Sequence, residues 1–316
     1  MTNDKNLPFC RLLSVILCIL ILFFDGAGAA EVATPRVAVV VSQRISPYLT
    51  AAEGLRKEFA AKSGAQVKEF ELDRFMGRAR NFLAKDLRES EFDLFIAIGP
   101  AAARFIQASL PDKRESKFYT MVLNPERVPA VEQFACGIAF GVSPQVQLQI
   151  LSCGIPTVRR VGILYDPSYN KGFVEEAAKH APLFGLTIVP FEVSSKTDIP
   201  FVLKQSWHHM DALLLIPDRT VISESLVEYI IKEAILEGVP VVGYNSFFYE
   251  SGAALAFFFD YEEVGRQTAR LALKVWSGEG CEKQYSIFQA WLNGRVMKHL
   301  KIPLRDRYPA PLEVGP

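Results

Sequence analysis

Short apolar runs alternate with amphipathic stretches along most of this chain. Val37–Val41, Gln66–Glu71, Leu94–Ile98, Phe118–Val122 and Gly137–Phe140 read as strands in the first half. Most are short, apolar and bounded by turn or helix signals, the signature of strands buried on both faces of a parallel sheet. Helical periodicity fills the gaps at Pro47–Lys62, Ala79–Glu89 and Pro100–Ser109, so the units are β-α-β. The second half repeats the order. Its strands fall at Val161–Leu164, Thr187–Pro190, Ala212–Ile216, Val239–Val242 and Ala254–Phe257, with helices at Lys171–Leu183, Ile199–Trp207 and Ser223–Glu237. Two such series predict an α/β protein of two doubly wound parallel-sheet lobes. Beyond them, Tyr261–Trp276 is a long amphipathic helix that Asp260 can cap, Tyr285–Ala290 reads as one further strand, Leu292–Leu300 as a helix, and Pro303–Pro316 as an irregular tail.

The first thirty residues break the alternation. Lys5 and Arg11 precede an apolar run, Leu12–Phe24, and Ala27-Gly28-Ala29 follows. The run is too short to span a bilayer but suits a cleaved signal peptide, so residues 1–30 are expected to direct export to the periplasm. Cys18 follows a bulky Leu17 inside the run, which argues against a lipid anchor. Cys10 and Cys18 leave with the signal. Of the three remaining cysteines, Cys136, Cys153 and Cys281, an odd number makes no complete disulfide framework, and free or buried thiols are expected.

Charge excludes some partners. Thirty-five basic residues balance 35 acidic ones, with no basic block, so neither nucleic acid nor an anionic membrane is implied, and no membrane insertion is expected after signal cleavage. Catalytic signatures are missing too. There is no H-E-x-x-H, P-loop, G-x-S-x-G or G-x-G-x-x-G. His208-His209 is the sole histidine pair, and neighbours at a helix end are expected to point apart, which disfavours a metal site. Glu71 and Asp73 read as a solvated strand end rather than an acid–base pair. No cofactor, metal or catalytic residue is expected.

What remains is a set of polar elbows, each at the carboxyl end of a predicted strand, where open α/β sheets bind ligands. The candidate ligand-binding residues are Ser42 and Gln43 in the first elbow, Gly99, Ala101 and Ala102 at a helix start, and Asn124. Tyr165, Ser168, Tyr169 and Asn170 follow in the fourth elbow, then Asp218, Arg219 and Thr220, Asn245, and Asp260. Asp218 suits a ligand amino group and Thr220 a hydrogen bond. Ser42 and the Ala101 and Ala102 amides suit a carboxylate or carbonyl, and Tyr165 and Tyr169 an apolar portion. Arg219 either holds an acidic group or pairs outward with a surface acid such as Glu224. Asp260 reads chiefly as a helix cap.

Several stretches carry a family resemblance: VGILYDPSYN, ALLLIPDRTVIS, VPVVGYN, SGAALAFFFDYEEVGRQTARLAL and WLNGRVMKHLKIPL. Here the chain resembles the periplasmic substrate-binding proteins of ABC transporters, in the branch with tryptophan- and other aromatic-amino-acid-binding members. Arg219 stands where that family commonly carries Asn. The resemblance implies a type I periplasmic-binding fold: two lobes joined by three crossovers, with hinges at Phe140–Ser143, Phe258–Tyr261 and Ile287–Gln289. The lobes would then comprise residues 31–140 plus 261–284, and 141–260 plus 285–316. It further implies a monomeric protein that captures a small organic ligand, amino-acid-like or a carboxylate, for an ABC permease and its ATPase. The alternative is a periplasmic sensor reporting to a membrane signalling receptor.

Overall fold

The computed structural model describes residues 34–220 and 223–315. The expected signal peptide, with Cys10 and Cys18, lies outside the described residues, as do positions 221 and 222 of the PDRTVIS stretch. Pro35–Pro316 forms one compact unit built on two sheets.

In the first sheet, β1 (Arg36–Val41), β2 (Gln66–Glu71), β3 (Leu94–Ile98), β4 (Lys117–Val122) and β5 (Cys136–Ala139) are parallel, in the order β5-β4-β3-β1-β2. The strand VAVVV explains the double winding. Val37, Val39 and Val41 face a core under helix α1 (Ser46–Ser63), while Ala38 and Val40 face the opposite core under α2 (Arg78–Glu89) and α3 (Pro100–Ser109). Alternate side chains of a strand leave by opposite faces, so only an apolar run can be buried on both.

The second sheet repeats the plan. Helices α4 (Pro144–Gly154) and α5 (Pro167–His180) cover one face, and α6 (Ile199–Ser206), α7 (Glu224–Leu236) and α8 (Ser246–Glu250) the other. Between them β6 (Arg160–Tyr165), β7 (Thr187–Glu192), β8 (Ala212–Leu214), β9 (Val241–Gly243) and β10 (Leu255–Phe258) run in the order β10-β9-β8-β6-β7.

After β10 the chain leaves this sheet. Helix α9 (Tyr261–Trp276), capped by Asp260 through the Glu263 amide at 3.1 Å, packs back on α1 of the first lobe. A Cβ on Gly54 would run into the Glu262 carbonyl, and one on Gly265 into the Ala51 carbonyl, so two glycines bring the helix backbones into direct contact. Ion pairs flank the contact: Arg266 and Arg270 reach the buried Glu58 at 3.7 and 3.4 Å, and Lys57 reaches Glu262 at 3.1 Å.

Four expectations need correction. Tyr285–Ala290 is not one strand. Gln284–Tyr285 forms β11 beside β5, while Gln289–Leu292 forms β12, antiparallel to β10 in the other sheet. The pairing breaks because Ser286 closes on the Ala139 carbonyl, the last residue of β5, while Phe288 packs on Phe257 at 5.7 Å across the crossing. The tail after α10 (Gly294–His299) is not wholly irregular. Leu312–Val314 forms β13 against β12, since Leu312 inserts into the second core and the strand covers an otherwise open edge. Nor are all the cysteines free: Cys136 and Cys281 form a disulfide with Cα atoms 6.1 Å apart, because β11 pairing brings Cys281 beside the start of β5, and among the described residues Cys153 alone is a free thiol. His208 and His209 do not diverge either. They lie in a 3₁₀ turn with ring centroids 3.9 Å apart, and no group of three or more metal-ligating side chains occurs among the described residues.

Gly265→Val should separate α1 from α9, with a destabilisation of about 3 kcal/mol, the upper range for overpacking. Urea denaturation reads it, and an unchanged midpoint would mean that the helices tolerate a wider spacing.

Candidate functional site

The strand order of the second sheet reverses between β6 and β8, and the elbows there are joined by buried carboxylates. Asp218, 1% exposed, accepts from the Asp166 amide (2.9 Å), the Thr220 amide (2.8 Å) and Asn170 Nδ2 (2.7 Å). Asp166 accepts from the Ser168 amide and from the Thr220 hydroxyl, each at 2.9 Å. Burial opposes the charged form of Asp166, but these donors outweigh it and hold the carboxyl below its usual value. Its contribution to stability is therefore present above its unfolded pKa and fades as the pH falls through the lower folded one. Asn170, also buried, departs from helical geometry inside α5 (φ −128°, ψ 18°) and donates additionally to the Pro217 carbonyl.

On the first sheet, an irregularity in the β4–β5 pairing falls between Tyr119 and Val122, and Met121 takes φ 56°. A left-handed non-glycine residue costs roughly 1–2 kcal/mol, and bulges of this kind re-aim the chain beside functional sites. The segment that follows carries Asn124, itself at φ 46°, and Arg127 to the second lobe. Asn124 Nδ2 donates to Asn170 Oδ1 at 3.4 Å, and Arg127 Nη2 to the Ser168 carbonyl at 2.8 Å. The Tyr169 ring receives two guanidinium groups, Arg127 at 5.4 Å and Arg219 at 5.5 Å from its centroid.

Between these contacts and the three crossings lies a cavity of about 560 Å³. Its apolar wall comes largely from the crossings and their strands: Phe140, Val142, Phe257 and Phe259, with the Phe140 and Phe259 rings packed at a tilt, centroids 4.7 Å apart. Its polar lining includes Asn124, Glu126, Arg127, Ser168, Asn170, Glu176, Tyr244, Lys283 and Tyr285. Burial, reinforced by Asp218, pushes the Tyr244 hydroxyl up to about 12, and burial followed by Glu176 and Glu126 raises that of Tyr285. Both phenols are therefore neutral donors at physiological pH. The lining combines an aromatic interior with charges of both signs, which suits a small molecule with an apolar body and polar ends.

Of the sequence candidates, Asn124, Ser168, Tyr169 and Asn170 line this cavity. Arg219 stands beside it on Tyr169, exposed and without an ion pair among the described residues. Asp218 and Thr220 support the lining from behind. Apart from Asn124, the first-lobe candidates do not reach the cavity. Ser42 Oγ accepts from the Ala102 amide at 2.8 Å, so those two groups satisfy each other, and the Tyr48 ring stands so close to Gly99 that a Cβ there would approach it to 2.8 Å. Ala101 packs against the α2–α3 core and Gln43 is exposed; next to it, Arg44 is held by Asp73 (2.9 Å) and Glu71 (3.3 Å). Tyr165 is buried in the second core and donates to Glu192 at 2.9 Å. Asn245 caps α8 through the Phe248 amide, and Asp260 caps α9. Sequence reasoning missed Arg127, Tyr244, Lys283, Tyr285 and the phenylalanine wall. For Lys283, Tyr285 and the phenylalanines the signal was proximity to the crossings, whereas Tyr244 and Arg127 sit in or just beyond polar elbows, next to candidates that were singled out.

Arg127 is the polar side chain that most directly joins the lobes. Arg127→Ala should remove about 1 kcal/mol from the closed arrangement, and small-angle scattering should record a larger radius of gyration without ligand. An unchanged radius would assign closure to other contacts.

A family profile described as ABC transporter substrate binding protein matches residues 137–309. No curated protein matches the chain. Among solved structures, the fold is similar to a ligand-free, open substrate binding protein with adhesive properties from Clostridium difficile, at 18% identity and TM-score 0.71, over 89% of this chain and 100% of that one. It is also similar to an ABC domain in complex with L-Trp from Streptococcus pneumonia, at 19% identity and TM-score 0.56, over 86% and 96%. A periplasmic ribose ABC transporter from Conexibacter woesei aligns at 14% identity and TM-score 0.56, over 84% and 94%. At these identities the likeness concerns the fold, the two-lobed type I periplasmic-binding architecture.

Proposed function

The chain belongs to the ABC transporter substrate binding protein family, and on that footing we propose that it captures a small amino-acid-like molecule or carboxylate between its lobes and delivers it to an ABC importer. Members of this family are solute-binding proteins and not enzymes. The observation that carries the reading is the cavity at the crossings, about 560 Å³, lined from both lobes and walled by aromatic rings. That volume suits one small organic ligand. An apolar body packs on Phe140, Phe257 and Phe259. A carboxylate turns toward Arg127, Ser168 and Arg219, the last through a bidentate guanidinium contact. An L-Trp complex among the fold neighbours agrees with such a ligand.

The moving bodies in this reading are residues 31–140 with 261–284 and residues 141–260 with 285–316, pivoting on the three crossings. A ligand touching both favours the closed form by its differential affinity. The protein works in the periplasm after removal of residues 1–30, as a monomer, beside a permease and its ATPase. No helix among the described residues is long and apolar enough to cross a membrane.

A thermal-shift screen of the exported protein against L-amino acids, small carboxylates, pentoses and nucleosides tests this. A true ligand at 100 times its dissociation constant adds about 2.7 kcal/mol of stability, and scattering should show a smaller radius of gyration. If only pentoses or nucleosides stabilise the protein, the amino-acid reading fails; ligand saturation without contraction would reject the clamshell.

Arg219 gives a sharper check. For a carboxylate ligand, Arg219→Ala should weaken binding by about 2–3 kcal/mol, the scale of a hydrogen bond to a charged group, with the ligand-free melting temperature unchanged. Calorimetric titration with an unchanged dissociation constant would take Arg219 out of the site.

A further inference from the structure

The third crossing is anchored more heavily than its length would suggest. β11 has two residues and lies at the edge of the first sheet, where so short a pairing holds little alone. Yet residues 281–287 carry four kinds of tie. Cys281 is bridged to Cys136, and Gln284 and Tyr285 pair with Ile138 and Ala139. Ser286 donates to the Ala139 carbonyl from its amide (3.0 Å) and its hydroxyl (3.2 Å). Gln267 of α9 donates from Nε2 to the Tyr285 carbonyl (3.0 Å) and accepts at Oε1 from the Ile287 amide (3.1 Å). Beyond Ile287 the ties change sides, and Gln289 pairs with Phe258 of the second sheet. Two side chains of this strap, Lys283 and Tyr285, line the cavity.

We propose that Gln267 and the Cys136–Cys281 bridge are positioning residues, which hold Lys283 and Tyr285 as a preformed wall moving with the first lobe and confine the pivot of this crossing to Ile287 and Phe288. The inference rests on reading the cavity as the ligand site. A strap left loose would have to be ordered when ligand binds, and that entropy would be subtracted from the affinity; tied beforehand, it is not. Gln267 suits the task because one neutral group both donates and accepts. A glutamate in its place accepts only while ionised, and does both once protonated.

Hydrogen exchange on the purified protein reads the strap directly. In the wild type, the Ser286 and Ile287 amides should be protected. Gln267→Ala should lower the protection of Ile287 about tenfold, the effect of one lost hydrogen bond, with α9 and β5 unaffected. Gln267→Glu keeps an acceptor for the Ile287 amide and should leave its protection in place, which separates loss of that bond from loss of the donor to the Tyr285 carbonyl. Cys136→Ser with Cys281→Ser should speed exchange over residues 282–286. In parallel, each of the twenty common L-amino acids is titrated by thermal shift, and those that stabilise the wild type should bind Gln267→Ala about tenfold more weakly. Unchanged protection at Ile287 in Gln267→Ala, or loosening spread evenly through α9 and β5, would overturn the positioning role. If no amino acid stabilises the wild type, the amino-acid form of the proposed ligand fails, and the exchange data still decide the strap.

Discussion

The architecture turns on a backbone contact between two helices far apart in sequence. Gly54 of α1 and Gly265 of α9 let the helices meet carbonyl to Cα, closer than any side chain would allow. Buried glutamate and paired arginines hold the same seam: Glu58 is 6% exposed and faces both Arg266 and Arg270. Removing either arginine leaves the carboxylate less compensated, which is costly in proportion to its burial. Because α9 docks on the first lobe while β10 before it and β12 after it belong to the second sheet, the chain must cross between lobes three times. The crossings lie together, and the space between them becomes the cavity.

That geometry decides which polar groups are available to a ligand. The elbows at the strand ends look alike in sequence, but most are satisfied within their own lobe: Ser42 by Ala102, Asn245 by Phe248, and Asp218 by three donors. A buried polar group already bonded gains little from a new partner and loses the old one. The groups left open are those whose present partners sit on the opposite lobe or whose tips face the cavity, chiefly Asn124, Arg127, Tyr169, Lys283 and Tyr285.

This explains how much could be read from the sequence. Strands buried on both faces declare themselves, as VAVVV and LFIAI do, because every position must be apolar. Gln66–Glu71, Leu94–Ile98, Pro100–Ser109 and Tyr261–Trp276 fall where the periodicity puts them. What periodicity cannot carry is a decision between two sheets. YSIFQA is a plausible strand, and only the tertiary placement of Ser286 and Phe288 splits it. The disulfide was illegible for the same reason: Cys136 and Cys281 are 145 residues apart, and only the β11 pairing makes them neighbours. In the site, the half contributed by α5 was legible from the DPSYN elbow. The half contributed by the crossings was not: the resemblance placed hinges at Phe140–Ser143 and Phe258–Tyr261, but nothing in the sequence marks Phe140 and Phe259 as cavity wall rather than core.

In the proposed clamshell the cavity wall and the hinge are the same residues, which couples binding to motion without any separate relay. Phe140 and Phe259 lie on two different crossings and pack ring against ring at 4.7 Å, so the proposed rotation about the crossings would alter the surface a ligand meets. A ligand filling the space between rings of both crossings stabilises one rotation over others by the contacts it gains only there. Arg127 adds a contact across the mouth, to a carbonyl and a ring, that needs no ligand. Its contribution is small enough for the lobes to open again, the reversibility that the proposed capture and release of a ligand requires.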